Sequence, residues 1–206
     1  MEWMNLRLPA LVAAAALALA GCGSDEGTVG GEDGGNPTDR AFVAAMVPHH
    51  LSAVDMAKIA QKRGKSRFVQ QLADDIIQAQ NAEIATMRRE DEGLEIAGVK
   101  TGKLGIAEHQ MGMEDDPAML RDAKPFDRAF IDMMIPHHQG AIRMAQVEMD
   151  KGADPELTAM ALEIIDAQTS EIEEMNAHRK EEFGSASPAG GVPAGGGEEH
   201  GSGHSG

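Results

Sequence analysis

The chain repeats itself at a constant offset of 88 residues, and this constrains its fold more than any single motif does. Asp39-Arg40-Ala41-Phe42 returns as Asp127-Arg128-Ala129-Phe130, and Met46-Val47-Pro48-His49-His50 returns as Met134-Ile135-Pro136-His137-His138. Met56-Ala57, Ile76-Ile77, Ala79-Gln80, Glu83-Ile84 and Met87 recur in the same register. In all, 20 of the 53 positions from 39 to 91 are identical to their partners without a gap. Agreement of that length marks a duplicated structural unit.

Each copy reads as two helices joined by a tight connection. Thr38 or Asp39 is the expected cap of the first helix, Gly64 its stop and Ser66 the cap of the second. In the other copy Gly152 ends one helix, and Asp154-Pro155-Glu156 opens the next with a cap followed by Pro at the first helical position. Connections this short force antiparallel neighbours, so each copy is a helical hairpin. The expected fold is therefore all-α: a four-helix bundle over 38–183, with repeat one at 39–91, a crossover at 92–125 and repeat two at 127–181.

Polar residues interrupt the apolar faces of these helices. With Phe42 at zero on a helical wheel, Met46 lies at about 40°, His49 at about −20°, Met56 at about −40° and His50 at about 80°. His49 thus falls inside the apolar stripe and His50 on its border, with His137 and His138 equivalent to them. Pro48 and Pro136 deprive the helices of a backbone donor just before the histidines and are expected to kink them. On the second helices Gln80 and Glu83, and their counterparts Gln168 and Glu171, fall on the face of Leu72 and Ile76. A buried carboxylate without a partner costs several kcal/mol. Glu83 and Glu171 therefore need a metal or another cation, or a histidine whose ring they orient from behind.

Composition narrows the chemistry. The formal net charge is −16, which repels nucleic acid phosphates and attracts cations. Cys22 is the only cysteine, which excludes an intramolecular disulfide and a thiolate cluster. The chain has 14 Met, no Tyr and a single Trp, Trp3. Imidazole with thioether suits copper, and thioether selects Cu(I). Met46, Met56, Met134 and Met144 share the histidine stripe, and the crossover adds an alternating run, His109-Gln110-Met111-Gly112-Met113. The candidate metal ligands are thus His49, His50, His137, His138, these four Met residues, His109, Met111 and Met113.

The N-terminus sets the expected compartment. Leu8 to Ala20 is an apolar run too short to span a bilayer, and it ends in Leu19-Ala20-Gly21-Cys22. Small residues ahead of a cysteine are what a lipoprotein signal peptidase reads, so residues 1–21 are expected to be removed and Cys22 lipidated. The expected location is extracytoplasmic, with the membrane reached through the lipid anchor only. Residues 22–37 and 184–206 are poor in apolar side chains, and both read as flexible segments, the second carrying His200 and His204. No protein partner is indicated, and assembly into a homo-oligomer is left open.

These residues resemble the bacterial "domain of unknown function 305" family. The resemblance is carried by Met134-Ile135-Pro136-His137-His138-Gln139-Gly140-Ala141-Ile142-x-Met144-Ala145, by Gln168-x-x-Glu171-Ile172-x-x-Met175, and by Met111-x-Met113 upstream of Phe126-Asp127. It covers about residues 38 to 180 and implies a ferritin-like four-helix bundle outside the cytoplasm, in a family some of whose members bind copper and support copper tolerance. The first copy departs from the pattern, with Leu51-Ser52 where the second has Gln139-Gly140.

Three functions are compatible with this pattern. The leading expectation is an extracytoplasmic lipoprotein that binds copper for sequestration, tolerance or transfer. The second is a structural or partner-binding lipoprotein with a His-Glu polar core. The third, a di-metal ferritin-like oxidoreductase, requires Glu-x-x-His motifs. The sequence has none, so an enzyme is not expected.

Overall fold

The structure is a computed structural model that describes residues 34–193. The signal-like segment, Cys22, most of the first expected tether, and His200 and His204 lie outside them. Four helices carry the fold: α1 (Pro37–Arg63), α2 (Arg67–Ile96), α3 (Phe126–Lys151) and α4 (Pro155–Phe183). The described part of the crossover adds only single-turn helices at Glu108–Gln110 and Pro117–Arg121. Among the described residues there is no strand, and no helix is long and apolar enough to cross a membrane.

The bundle is held by two hairpins that brace one another. α1 packs on α2, α3 on α4, and the hairpins meet chiefly through α1 and α3. Phe42, Met46, Phe130, Ile131, Met134 and Ile135 are wholly buried along that seam, and burying each such side chain contributes about 1.5–3 kcal/mol. α1 and α3 run antiparallel. At one end Asp39 accepts from the amides of Ala153 (2.9 Å) and Asp154 (3.0 Å) in the α3–α4 turn. At the other end Asp127 accepts from the amides of Lys65 (2.8 Å) and Ser66 (2.7 Å) in the α1–α2 turn. Since 153 and 154 are the repeat equivalents of 65 and 66, each hairpin caps the other's turn with the same aspartate. This reciprocal arrangement places an approximate two-fold axis through the middle of α1 and α3.

Several boundaries differ from the sequence expectation. The cap of α1 is Asn36, whose side chain accepts from the amides of Thr38 and Asp39. Pro37 fills the first helical position, where its missing donor costs nothing. Asp39 instead reaches back to the Asn36 amide and closes a capping box. α2 continues past residue 91 to Ile96, because no proline interrupts Arg88–Glu95 and Leu94 is buried against the core, which outweighs the helix-weakening Gly93, so the crossover is shorter than expected.

The segment after α4 is the larger correction. Residues 184–193, expected to be part of a flexible tail, fold back onto the bundle. Buried Arg179 donates to both oxygens of Asp132 (2.6 and 2.9 Å) and to the carbonyls of Ser185 (2.5 Å) and Ala186 (2.7 Å). Gln139 donates to the carbonyls of Ala189 (2.9 Å) and Gly191 (2.7 Å), and Val192 packs against the core. Composition hid this because the segment is held by its backbone carbonyls, which leave no trace in residue type.

Candidate metal centre

The histidine pairs lie halfway along α1 and α3, where the two helices cross. All four are buried, His50 and His138 completely. The rings of His49 and His137 face each other with centroids 3.7 Å apart and planes 34° from parallel. His50 and His138 lie to either side of them, with centroids 6.2 Å from His49 and 6.4 Å from His137 respectively. Pro48 and Pro136 both sit inside continuous helices.

The partners of these rings determine which nitrogen is free. His50 Nε2 lies 2.6 Å from Glu83 Oε2, and His138 Nε2 lies 2.5 Å from Glu171 Oε2. His49 Nε2 donates to the carbonyl of Met111 at 3.0 Å. A carbonyl oxygen can only accept, so His49 carries its proton on Nε2 and its lone pair on Nδ1. A neutral His50 or His138 that donates to its glutamate is fixed in the same tautomer. Nδ1 of all four rings, Nε2 of His137, and Oε1 of buried Gln80 and Gln168 have no hydrogen-bond partner in the protein. Buried polar groups are ordinarily paired, so this concentration of unpaired polar atoms at one level of the bundle is unusual.

Protonation of the central pair is suppressed. Burial, reinforced by the neighbouring His50 and His138, lowers the pKa of His49 to about 3. Burial and the surrounding histidines hold His137 well below its ordinary value. Both rings are therefore neutral, lone-pair donors at neutral pH, the form in which imidazole binds a metal.

Met46 and Met134 are fully buried one turn before the histidines, where i and i+3 or i+4 residues share a helix face. Met56 and Met144 are buried two turns further along. Among the described residues no three His, Cys, Asp or Glu side chains stand together as a ready coordination shell. A site here would draw on imidazole nitrogen and thioether sulfur, a donor set that fits a soft ion. The crossover candidates divide. Met111 packs against the core, whereas His109 and Met113 are exposed and border a surface depression with Glu108 and Glu114.

The contact between the crossover and the histidines was not evident from residue type. Gly112 has φ +71°, and a Cβ there would meet the Pro136 carbonyl at 2.3 Å. A Cβ on Gly140 would meet the Met111 carbonyl at 1.9 Å. Two glycines thus let the crossover backbone lie directly on α3 and bring the Met111 carbonyl to His49. The only sequence signal was a glycine in mid-helix, at a position where the first copy has Ser52.

Comparison with known proteins agrees with this architecture. The family model described as "Domain of unknown function (DUF305)" matches residues 39–179. The solved structure "CopM in the Cu(I)-bound form" is 31% identical, with a TM-score of 0.59, over 70% of this chain and 97% of that one. CopM has also been solved in Cu(II)-bound and Ag-bound forms that match similarly. A DUF305 fragment from Deinococcus radiodurans is 32% identical, with a TM-score of 0.57, over 70% of this chain and 97% of that one. "Uncharacterized protein L153" of Acanthamoeba polyphaga mimivirus is 40% identical over 50 residues, which are 24% of this chain and 33% of that protein. The chain therefore spans about a third of the length of that curated relative. With the family model matching well over half of its length, the chain belongs to the DUF305 family.

Proposed function

We propose that this protein binds copper as cargo, taking Cu(I) into the core of the bundle for sequestration, tolerance or transfer, at the extracytoplasmic face of a membrane to which lipidated Cys22 tethers it. The observation that carries the reading is the set of imidazole nitrogens without a hydrogen-bond partner on four buried histidines, two of which stay neutral far below neutral pH. The CopM likeness supports copper as the ion. In this reading the His49 and His137 imidazoles and the Met46 and Met134 thioethers hold the ion. Glu83 and Glu171 fix the tautomer of His50 and His138, and the Met111 carbonyl fixes that of His49. The metal is bound rather than used, so no catalytic step is assigned.

The decisive experiment is a Cu(I) titration of the purified protein under reducing conditions against a chromophoric competitor. The His49→Ala, His137→Ala double variant should bind at least tenfold more weakly, and equal affinity would end the proposal. The two imidazole–carboxylate hydrogen bonds favour a second reading, in which the histidines form only a structural polar core. That reading expects the thermal midpoint to ignore Cu(I), whereas a ligand that binds only the folded state must raise it. Anchoring is tested separately: detergent-phase partition of the full-length protein should be lost in Cys22→Ala.

A further inference from the structure

Away from the histidines, a cleft of about 640 Å³ lies between the C-terminal half of α1 and the single turn Pro117–Arg121. Its wall carries Lys58, Lys62, Arg63 and Arg121 against Asp55 and Asp116. In a chain of net charge −16 this is a local reversal of sign.

The cations are poorly compensated. Among the described residues, Lys62, Arg63 and Arg121 form no ion pair with a carboxylate, and Lys58 has only exposed Asp55 at 3.3 Å. Asp116 is committed to the amide of Ala118 at 2.8 Å. Arg63 is fixed in place. It donates to the carbonyls of Leu120 (2.6 Å), Arg121 and Ala123 (3.2 Å), with its guanidinium 4.9 Å from the centre of the Phe126 ring. Those bonds use three of five guanidinium donors, so two N–H groups remain free on an immobilised charge.

Proximity to the negative end of the α1 dipole accounts for Lys62 and Arg63. It accounts neither for Lys58, four residues before Lys62 where like charges repel, nor for Arg121, which comes from a different segment. Four cations against two carboxylates leave the wall with an excess of positive charge, which concentrates counter-ions in a cleft, and the volume suits a small molecule.

We infer that this cleft binds a small multivalent oxyanion, with Arg63 as the fixed donor and Lys58, Lys62 and Arg121 closing around it. The recognised chemistry is clustered anionic oxygens, which either a phosphate or a polycarboxylate supplies. The site is independent of copper binding.

The test uses the purified protein without copper, titrated with inorganic phosphate and, in a second arm, with citrate. Chloride at matched ionic strength serves as control, and binding is followed by amide chemical shifts and thermal midpoint. Saturable shifts at α1 residues 58–63 and at 117–121 are expected in at least one arm. Saturation in one arm alone identifies phosphate or polycarboxylate as the source. The Lys62→Gln, Arg121→Gln variant should bind at least tenfold more weakly while keeping its anion-free thermal midpoint and its Cu(I) affinity. A response no larger than chloride gives, or unchanged affinity in that variant, overturns the inference. If that variant unfolds, Lys58→Gln replaces it under the same criterion.

Discussion

At the residue scale, the ring pair His49–His137 joins the proposed function to stability. His49 has a folded pKa of about 3 against an ordinary value of 6.5. The unfolded chain therefore takes up a proton that the folded chain refuses. Stability from keeping this ring neutral is complete above about pH 6.5 and is lost as pH falls toward 3, with a slope of up to about 1.4 kcal/mol per pH unit. His137 acts in the same direction. On going from pH 7.5 to pH 5, urea midpoints of the metal-free protein should therefore shift less favourably than those of the His49→Gln, His137→Gln variant, which lacks this contribution. An unchanged slope in the variant would mean that the rings are not held neutral.

Glu148 has the opposite sign. Its repeat partner is Ala60, and it is fully buried beside Asp39. Burial, reinforced by the adjacent Asp39 carboxyl, raises its pKa to about 9. Burial opposes ionisation of Asp39 too, but the neighbouring protonated Glu148 and hydrogen bonds from the amides of Asn36, Asp154 and Ala153 hold that carboxyl below its usual value. The folded protein thus keeps a proton on Glu148 that the unfolded chain releases above about pH 4.5, so the group lowers stability progressively from there to about 9. Glu148→Gln should raise stability at pH 7.5 by on the order of 2 kcal/mol, with the gain shrinking to nothing near pH 4.5. Nothing in the sequence singled Glu148 out. It is one acid among many in an acidic chain, and its burial against Asp39 of the other hairpin is what makes it a protonated one.

At the scale of the elements, the helices and their order were legible because apolar periodicity, Ser66, Gly152 and Asp154-Pro155 act within a few residues of themselves. The duplication made each copy a check on the other. The inward histidines were legible too, as polar residues on an apolar wheel. What depended on distant chain segments was not legible. The Met111 carbonyl at His49 depends on a crossover whose path no local pattern determines, and Asp127 looks like a first-turn acid until it meets the Lys65 and Ser66 amides. Two element-level outcomes follow. Asp127→Ala leaves those two amides without their acceptor and should cost about 1–3 kcal/mol in chemical denaturation. Gly140→Ala places a methyl against the Met111 carbonyl, where the neighbour is backbone and cannot rotate away. It should cost about 1–3 kcal/mol and speed amide exchange across 108–113. A neutral result would mean that the crossover does not rest on α3.

Across the whole molecule, the two halves share a core but differ in what lies over it. Each hairpin is locked by an Arg–Asp pair, with the partners exchanged. Arg40 on α1 meets Asp91 on α2 at 2.8 Å, whereas Arg179 on α4 meets Asp132 on α3 at 2.6 Å. Each of these arginines also holds the chain that follows its hairpin: Arg40 donates to the Val99 carbonyl, and Arg179 to the Ser185 and Ala186 carbonyls. The first return leads to the Met111 turn over His49, and the second runs beside Gln139, next in sequence to His138. Leu51, the counterpart of Gln139, is exposed rather than covered. Ending the chain after Phe183 should therefore do more than shorten a tail. Arg179 would keep Asp132 but lose the backbone acceptors on its other nitrogen, and Gln139 would lose both of its own. The expected loss is about 2 kcal/mol, because water entering the opened site replaces only part of those bonds. Arg179→Leu should lose stability in the full-length chain and lose less in the shortened one, so the two changes should be non-additive. Strict additivity in thermal or urea unfolding would show that the strap and the buried arginine are energetically separate.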